Sequence, residues 1–250
     1  KPEDYKAFLA GEEKNAAHIF GAHERTVNGV KGVLFNVWAP KALSVSVVGE
    51  FNKYDGRVHL MERIEDTGVF ELFIPGLAAG CGYMYEIKRQ GKGTTRKLDP
   101  VSRQISSVPI IASVVSDENM PDSYAWNDGL WMIKRKKEAG KKKPVTVYEV
   151  SLTDWLKEKS ADELVDFVKQ EGYTHVCFLP VAEYLNEEMN GYSTLGYFAV
   201  THRIGGSDAF KKLVDDCHNA GIGVIIDWNG AYFGTEAKDC LLYTSPSPRD

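Results

Sequence analysis

Apolar and polar residues alternate along several short stretches in the first half of the chain, with Gly and Pro residues between the stretches. The alternation is clearest at Val33–Val37, Val45–Val47, Phe70–Ile74 and Tyr83–Ile87. A period of two with frequent turns is typical of strands that bury one face in an antiparallel sandwich. The pattern therefore predicts an immunoglobulin-like β-sandwich over residues 29–115, preceded by an N-terminal segment over residues 1–28.

Beyond Pro144 the pattern changes to continuous apolar runs separated by amphipathic stretches. The runs VTVYEV, HVCFLPV and GVIID are typical of strands buried on both faces of a parallel sheet. Ser160 and Glu163 form a capping-box signature that opens a helix, and Ser207 begins a second helix. This order predicts the first three strands of a (β/α)8 TIM barrel over residues 144–239. Periodicity alone leaves an open doubly wound sheet as the alternative.

The stretch between these two regions, residues 116–143, is polar and contains several aromatic residues, which predicts a linker. Its basic run, Lys134–Lys143, is interrupted by Glu138 and Gly140. A run of this kind usually remains solvated, and a contact patch is the alternative interpretation.

Composition and charge narrow the function classes. The formal net charge of −5 argues against nucleic acid or an anionic membrane as the main partner. No run reaches the roughly 18 apolar residues that a membrane helix requires. The 4 cysteines show no CxxC spacing, so we expect neither a disulfide framework nor a zinc site, and a reducing cytoplasm fits best. We predict no cofactor and no metal.

The segment Cys240–Asp250 differs abruptly from the sequence before it. Codon by codon, it can be spelled by the DNA of a transposase-type adapter used in short-read sequencing libraries. We therefore expect residues 240–250 to be a sequencing artefact on a broken gene fragment, and we exclude them from fold reasoning. The chain opens on Lys1 rather than Met, so we expect the natural N-terminus to be missing as well.

Particular phrases in the first half carry a resemblance. GVLFNVWAP, SVSVVGEFNKYDGR, GVFELFIPGL and YMYEIK occur in that order. Together they resemble the family 48 carbohydrate-binding module that precedes the barrel in branching and debranching enzymes. Tyr54 stands where many members have Trp, and the resemblance implies a glucan contact there, because an aromatic ring can stack on a sugar face. A simple surface or interdomain contact is the alternative for Tyr54.

The second half carries the more specific resemblance. PVTVYEVSLTDW, GYTHVCFLPVAEY and GYSTLGYFAVTHRIGGSDAFKKLVDDCHNAGIGVIIDW resemble the α-glucan branching enzymes of the α-amylase superfamily. The resemblance implies retaining transfer of an α-1,4-glucan segment to a 6-hydroxyl in glycogen biosynthesis, with an α-1,4-glucan as partner. It also implies that residues 1–239 stop before the catalytic acids, which follow later barrel strands in this family. We therefore expect this chain itself to be inactive.

Three residues match positions of the family's sugar site. Asp227 falls at the aspartate of the shared D-x-x-x-x-H motif, which supports the floor of the active site. Tyr192 falls at the tyrosine that stacks under the reacting sugar. Tyr232 occupies the position of the motif's histidine, which should hydrogen-bond that sugar.

Several other positions depart from the family pattern. Tyr184 replaces a histidine, Asn190 a tryptophan and Ser193 a glutamine, and we interpret these as sugar-contacting positions. The departures leave a second reading open, a non-catalytic glucan-binding or regulatory paralogue. A debranching hydrolase is a third reading.

Four acids of the barrel region receive no catalytic role, because no family motif supports them: Glu149, Glu183, Asp215 and Asp216. We expect Glu183 and Asp216 to be solvated or loop charges.

Overall fold

The computed structural model describes residues 2–13, 16–91, 93–106, 110–116, 124–185 and 187–230. Tyr232, the end of the expected barrel region and the segment 240–250 lie outside the described residues. The described residues form two compact units. The first comprises the residues up to 116 together with residues 195–199, and the second comprises residues 124–194 and 200–230.

The first unit is a β-sandwich preceded by two short helices, α1 (Pro2–Leu9) and α2 (Ala16–Ile19). Its strands are β1 (Gly21–Val27), β2 (Val30–Trp38), β3 (Ser44–Val48), β4 (Glu62–Ile64), β5 (Val69–Pro75), β6 (Gly82–Arg89), β7 (Gly93–Lys97), β8 (Ile105–Ser106) and β9 (Ala112–Val114). One sheet has the order β1-β2-β5-β4, and the other has the order β3-β6-β9-β8 with β7 paired to β6. All pairs are antiparallel. The predicted sandwich is confirmed.

The alternating residues of the sequence form the core of this sandwich. One buried cluster joins Val33, Phe35 and Val37 of β2 to Val45 and Val47 of β3, together with inward residues of β5 and β6. Because residues of both sheets share this cluster, the two sheets pack face to face. The strand β1 was not predicted, since only its first residues are buried and the rest of GAHERTV is polar or exposed.

The second unit contains a parallel sheet and its covering helices. Its elements are α3 (Gly129–Glu138), β10 (Val147–Val150), α4 (Leu152–Trp155), α5 (Ala161–Gln170), β11 (His175–Phe178), β12 (Ala182–Tyr184), α6 (Gly206–Asn219) and β14 (Gly223–Ile226). Of the strand β13 (Thr194–Val200), only the two terminal residues belong to this unit. The sheet has the order β10-β11-β14, with both pairs parallel, while β12 and β13 form a separate two-stranded ladder. Parallel strands in sequential order, connected through helices, fit the beginning of a (β/α)8 barrel.

The helix α5 begins at its predicted signal, whereas α6 begins at Gly206, one residue before the predicted start at Ser207, with Gly205 at its N-cap. The side chain of Ser160 accepts from the backbone N–H of Glu163, and the carboxylate of Glu163 accepts from the backbone N–H of Ser160. This reciprocal pair confirms the predicted capping box at the start of α5. Leu164 and Val168 then point into a buried cluster that also contains Phe178 and Phe210.

The helix α3 lies in the middle of the stretch predicted as a linker. Trp131 of α3 stacks on the ring of His218 in α6, with 5.0 Å between ring centroids. The carboxylate of Asp128 lies 2.7 Å from Nδ1 of the same histidine. These contacts join α3 to α6 within the second unit.

Candidate functional site

The carboxyl ends of β10, β11 and β14 bring the candidate site residues together. Asp227 follows directly after β14, and its backbone N–H donates to the carbonyl of Phe178 at 2.8 Å, which fixes the strand end. In barrel enzymes the reactive groups lie at this edge of the sheet. Asp227 therefore lies at the edge of the sheet where barrel enzymes carry their reactive groups.

The structure joins two of the predicted site residues directly. The hydroxyl of Tyr192 donates a hydrogen bond to Oδ2 of Asp227. This bond, followed by burial and by the nearby charges of Asp227 and Glu149, raises the pKa of Tyr192 to about 12. The phenol consequently stays protonated at neutral pH and holds the carboxylate of Asp227 in one orientation.

Two further side chains approach this pair, and neither was predicted to belong to the site. Glu149 and Cys177 are register partners on β10 and β11, and Cys177 is paired in turn with Ile225, two residues before Asp227. Burial, followed by the charges of Glu149 and Asp227, raises the pKa of the Cys177 thiol. The thiol therefore stays protonated and is a poor nucleophile. Counting back in steps of two from Asp227 reaches Ile225 on the same face of β14, but only the pairing register between strands adds Cys177 and Glu149 to that face.

The segment that carries Tyr192 has a constrained backbone. Asn190 and Gly191 both have positive φ, +48° and +87°. The N–H of Tyr192 donates to the carbonyl of Met189 at 2.9 Å, and the N–H of Leu185 donates to the carbonyl of Ser193 at 3.2 Å. A turn closed in this way projects Tyr192 from a defined position.

Two of the positions interpreted as sugar contacts are wrongly interpreted. Tyr184 is only 4% exposed, and the guanidinium of Arg203 lies 4.2 Å from its ring centroid. Ser193 is 5% exposed, and its hydroxyl has no hydrogen-bond partner within the described part of the chain. Because both side chains point into the protein, their departure from the family pattern affects packing rather than sugar contact. Asn190 is exposed.

The prediction that Glu183 is a solvated or loop charge is also wrong. Its side chain is 2% exposed and forms an ion pair with Arg203 at 2.7 Å. Its partners come from residues 201–203, too far along the chain for any local pattern to reveal them. Asp216, in contrast, is a part-exposed charge that pairs with Lys212.

A small cavity lies beside the segment carrying Tyr192, lined by residues that include Ser151, Thr153 and Tyr184. Its volume is about 20 Å³. That volume accommodates about one water molecule, so the cavity is too small for a pyranose ring.

Tyr54 lies in the first unit, far from these residues in sequence. Its backbone is left-handed, with φ of +59°, after a tight turn in which Asn52 donates to the carbonyl of Val47. Arg96 donates to the carbonyl of Tyr54 at 2.9 Å and lies 5.7 Å from its ring centroid. The ring is partly buried against the cluster of Val48 and Met84. Only part of its surface is therefore open to a ligand.

In the described residues, no helix combines the length and the apolar character that a membrane crossing requires.

Comparison with known proteins identifies both regions. Residues 19–102 match the family model described as Carbohydrate-binding module 48 (Isoamylase N-terminal domain). The chain is 42% identical to the 1,4-alpha-glucan branching enzyme GlgB of Methylococcus capsulatus, over 98% of this chain and 35% of the relative. It is 40% identical to the GlgB of Gloeobacter violaceus, over 96% of this chain and 34% of the relative. The chain thus spans about a third of these relatives' length.

Solved structures support the fold. A Salmonella typhimurium protein provisionally assigned as an α-amylase matches with a TM-score of 0.62 and 23% identity, over 92% of this chain and 37% of that one. The catalytic module of SpuA, a glycogen-degrading pneumococcal virulence factor, matches with a TM-score of 0.59 and 21% identity, over 84% of this chain and 37% of the other. At these identities the likeness shows the fold alone. With curated relatives near 40% identity along nearly its whole length, the chain belongs to the family of the 1,4-α-glucan branching enzymes.

Proposed function

We propose that the whole protein transfers segments of α-1,4-glucan to a 6-hydroxyl of another chain, with retention of configuration. The observation that carries the proposal is the pairing of Tyr192 with Asp227 at the carboxyl ends of parallel strands. The names of the relatives, all 1,4-alpha-glucan branching enzymes, support the reaction.

In this proposal each member of the pair has a distinct role. The ring of Tyr192 forms an apolar platform for one face of the reacting sugar, and its hydroxyl orients Asp227. The carboxylate of Asp227 accepts hydrogen bonds from sugar hydroxyls at its free positions. Tyr232 contributes a further contact through its phenol.

Retaining transfer also requires two carboxyls roughly 5–5.5 Å apart, one as nucleophile and one as acid/base. We assign neither role to an acid of this chain. The family resemblance implies that both follow later barrel strands.

The proposal extends to the partner and the compartment. We propose an α-1,4-glucan as the polymer bound, with Tyr54 as a secondary contact in the sandwich. We place the protein in the cytoplasm, and the free thiols of Cys81, Cys177 and Cys217 are compatible with a reducing compartment.

A non-catalytic glucan-binding paralogue is the second candidate. The departures at Asn190 and Tyr232 favour it, while those at Tyr184 and Ser193 no longer do, because the latter two side chains are buried. Both candidates bind glucan, so binding and branching must be measured separately.

Branching by the complete gene product separates the two candidates. An active enzyme shortens the linear segments of amylose and lowers its iodine absorbance with time. A complete protein that binds glucan but leaves the absorbance at the buffer level would support the paralogue.

Glucan binding by the present chain tests the site itself. Tyr192→Ala should weaken maltoheptaose binding by about 1 kcal/mol, or roughly fivefold, because a sugar platform is lost. Trp126→Ala is the matched control, since Trp126 is a half-exposed ring of the same unit outside the site. Equal affinities of the two variants and the unchanged chain would remove Tyr192 from the site.

A further inference from the structure

Glu183 is a buried carboxylate whose acceptor positions are filled by one short segment of the chain. Oε1 accepts from the hydroxyl of Thr201 at 3.0 Å and from Nη1 of Arg203 at 2.7 Å. Oε2 accepts from the backbone N–H of His202 at 3.0 Å and lies 2.9 Å from Nδ1 of the same residue. The backbone N–H of Tyr184 adds a contact to Oε1 at 3.2 Å.

These bonds join the two ends of one excursion of the chain. Glu183 lies in β12, before the excursion, and residues 201–203 follow its return through β13. The backbone N–H of Thr201 also donates to the carbonyl of Val181 at 2.9 Å, which brings the two ends side by side. Between these ends the chain carries Tyr192.

Arg203 extends the same connection to the start of the excursion. Besides its ion pair with Glu183, its Nη1 donates to the carbonyl of Tyr184 at 3.3 Å. Its guanidinium also lies over the ring of Tyr184. A lysine could supply the charge but not the planar contact and the forked donors.

Because Glu183 is buried, its carboxylate depends on these hydrogen bonds. A carboxylate that is 2% exposed is stable only if its partners stay in place, because a buried charge without partners is costly. The bonds are satisfied entirely within the second unit. A role in proton transfer to a substrate is also disfavoured, since donors already occupy both oxygens.

We propose that Glu183 is a positioning residue: it clamps the two ends of the excursion and thereby holds Tyr192 against Asp227. The inference rests on the proposed function only in treating Tyr192 as a sugar contact. The clamp itself is a property of the chain and can be measured without glucan.

The test is fluorine NMR of the whole chain labelled with 3-fluorotyrosine, which gives one signal for each of the 12 tyrosines. Tyr192→Phe identifies the signal of Tyr192, and Asp227→Asn shows where that signal moves when its acceptor is altered. Glu183→Gln should move the Tyr192 signal in the same direction, and Glu183→Asp should move it less. The signals of Tyr148 and Tyr173, whose rings contact each other in the second unit, report whether that unit stays folded.

Arg203→Lys supplies an independent variant, and Asp216→Asn is the control for loss of an acid in the same unit. Arg203→Lys should move the Tyr192 signal, and its combination with Glu183→Gln should move it no further. Asp216→Asn should leave it in place. A Tyr192 signal unchanged by Glu183→Gln would overturn the proposal. Loss of the folded-state positions of all tyrosine signals of the second unit, in both Glu183→Asp and Arg203→Lys, would overturn it too. Weak glucan binding by the unchanged chain would instead count against the proposed function and not against the clamp.

Discussion

Replacing Gly191 by alanine is the sharpest test of the backbone that presents Tyr192. Gly191 has φ of +87°, and a Cβ placed there would lie 2.9 Å from the carbonyl oxygen of Pro180. Gly172 and Gly221 are matched controls, because they have φ of +76° and +85° and a Cβ on either would meet nothing within 4 Å. All three positions lie in the second unit and differ in the space around the new methyl group.

The expected magnitudes follow from two separate costs. A left-handed residue with a Cβ costs about 1–2 kcal/mol, offset by about 0.4–1 kcal/mol because alanine lowers the entropy of the unfolded chain. The controls should therefore lose about 1 kcal/mol. At Gly191 the backbone oxygen of Pro180 must also give way, and such overpacking adds about 1–3 kcal/mol. Gly191→Ala should lose about 2–4 kcal/mol.

Urea unfolding followed by tryptophan fluorescence is a suitable assay, since Trp126, Trp131, Trp155 and Trp228 belong to the second unit. The Tyr192 fluorine signal should move in Gly191→Ala and stay in place in the controls. If Gly191→Ala costs no more than Gly172→Ala and leaves that signal unchanged, the segment does not pack on Pro180 and the described geometry of the site is refuted.

Three further outcomes are expected. Ser160→Ala should lower the unfolding free energy of the second unit by about 1 kcal/mol through loss of the capping box, whereas Ser207→Ala, which removes no cap hydrogen bond, should change it little in the same urea assay. Burial raises the pKa of Asp99, so its contribution to stability is present below its unfolded pKa of 3.8 and is lost as the pH rises through the higher folded value. Asp99→Asn should remove that part of the pH dependence of urea unfolding, while Asp66→Asn, at an exposed site, should retain it. The chain as it stands should leave the iodine absorbance of amylose at the buffer level, and branching above that level would contradict our expectation that the catalytic acids follow later barrel strands.

Local sequence patterns were sufficient to predict the helices and strands whose stabilising contacts involve residues close together in the chain. The capping box of Ser160 and Glu163 involves residues three apart, and its partners are fixed by the helix itself. The inward residues of β2 and β3 follow a period of two that survives in the core. For such elements sequence and structure agree because the stabilising contacts are local or repeat regularly.

The helix α3 could not be predicted from local sequence patterns. Its apolar residues are consecutive, from Leu130 to Ile133, and form no stripe at helical spacing. The contacts that hold the helix come from Trp131 and Asp128 to His218, about 90 residues later. A tertiary contact of this length leaves no periodic signal, so the stretch was predicted as a linker.

The candidate site also combines residues that the sequence identifies with contacts that only the structure shows. The family resemblance selected Tyr192 and Asp227, but no spacing rule gives their hydrogen bond across 35 residues. The resemblance also misled at Tyr184 and Ser193, because a position that differs from its family does not reveal whether its side chain faces a ligand or the core. Glu183 escaped notice for the related reason that its partners lie 18–20 residues away.

These observations separate what this chain contributes from what branching requires. The Tyr192–Asp227 pair is complete within the second unit, since its strand end is fixed by Phe178 and its turn is closed by backbone bonds. Buried substitutions such as Tyr184 leave that pair in place, so they are poor grounds for calling the lineage inactive. Under the proposed function, glucan binding and glucan transfer depend on different parts of the protein. We propose that a complete protein that loses transfer through its acids still presents Tyr192 to a sugar, whereas a change at Gly191 displaces Tyr192 and leaves the acids untouched.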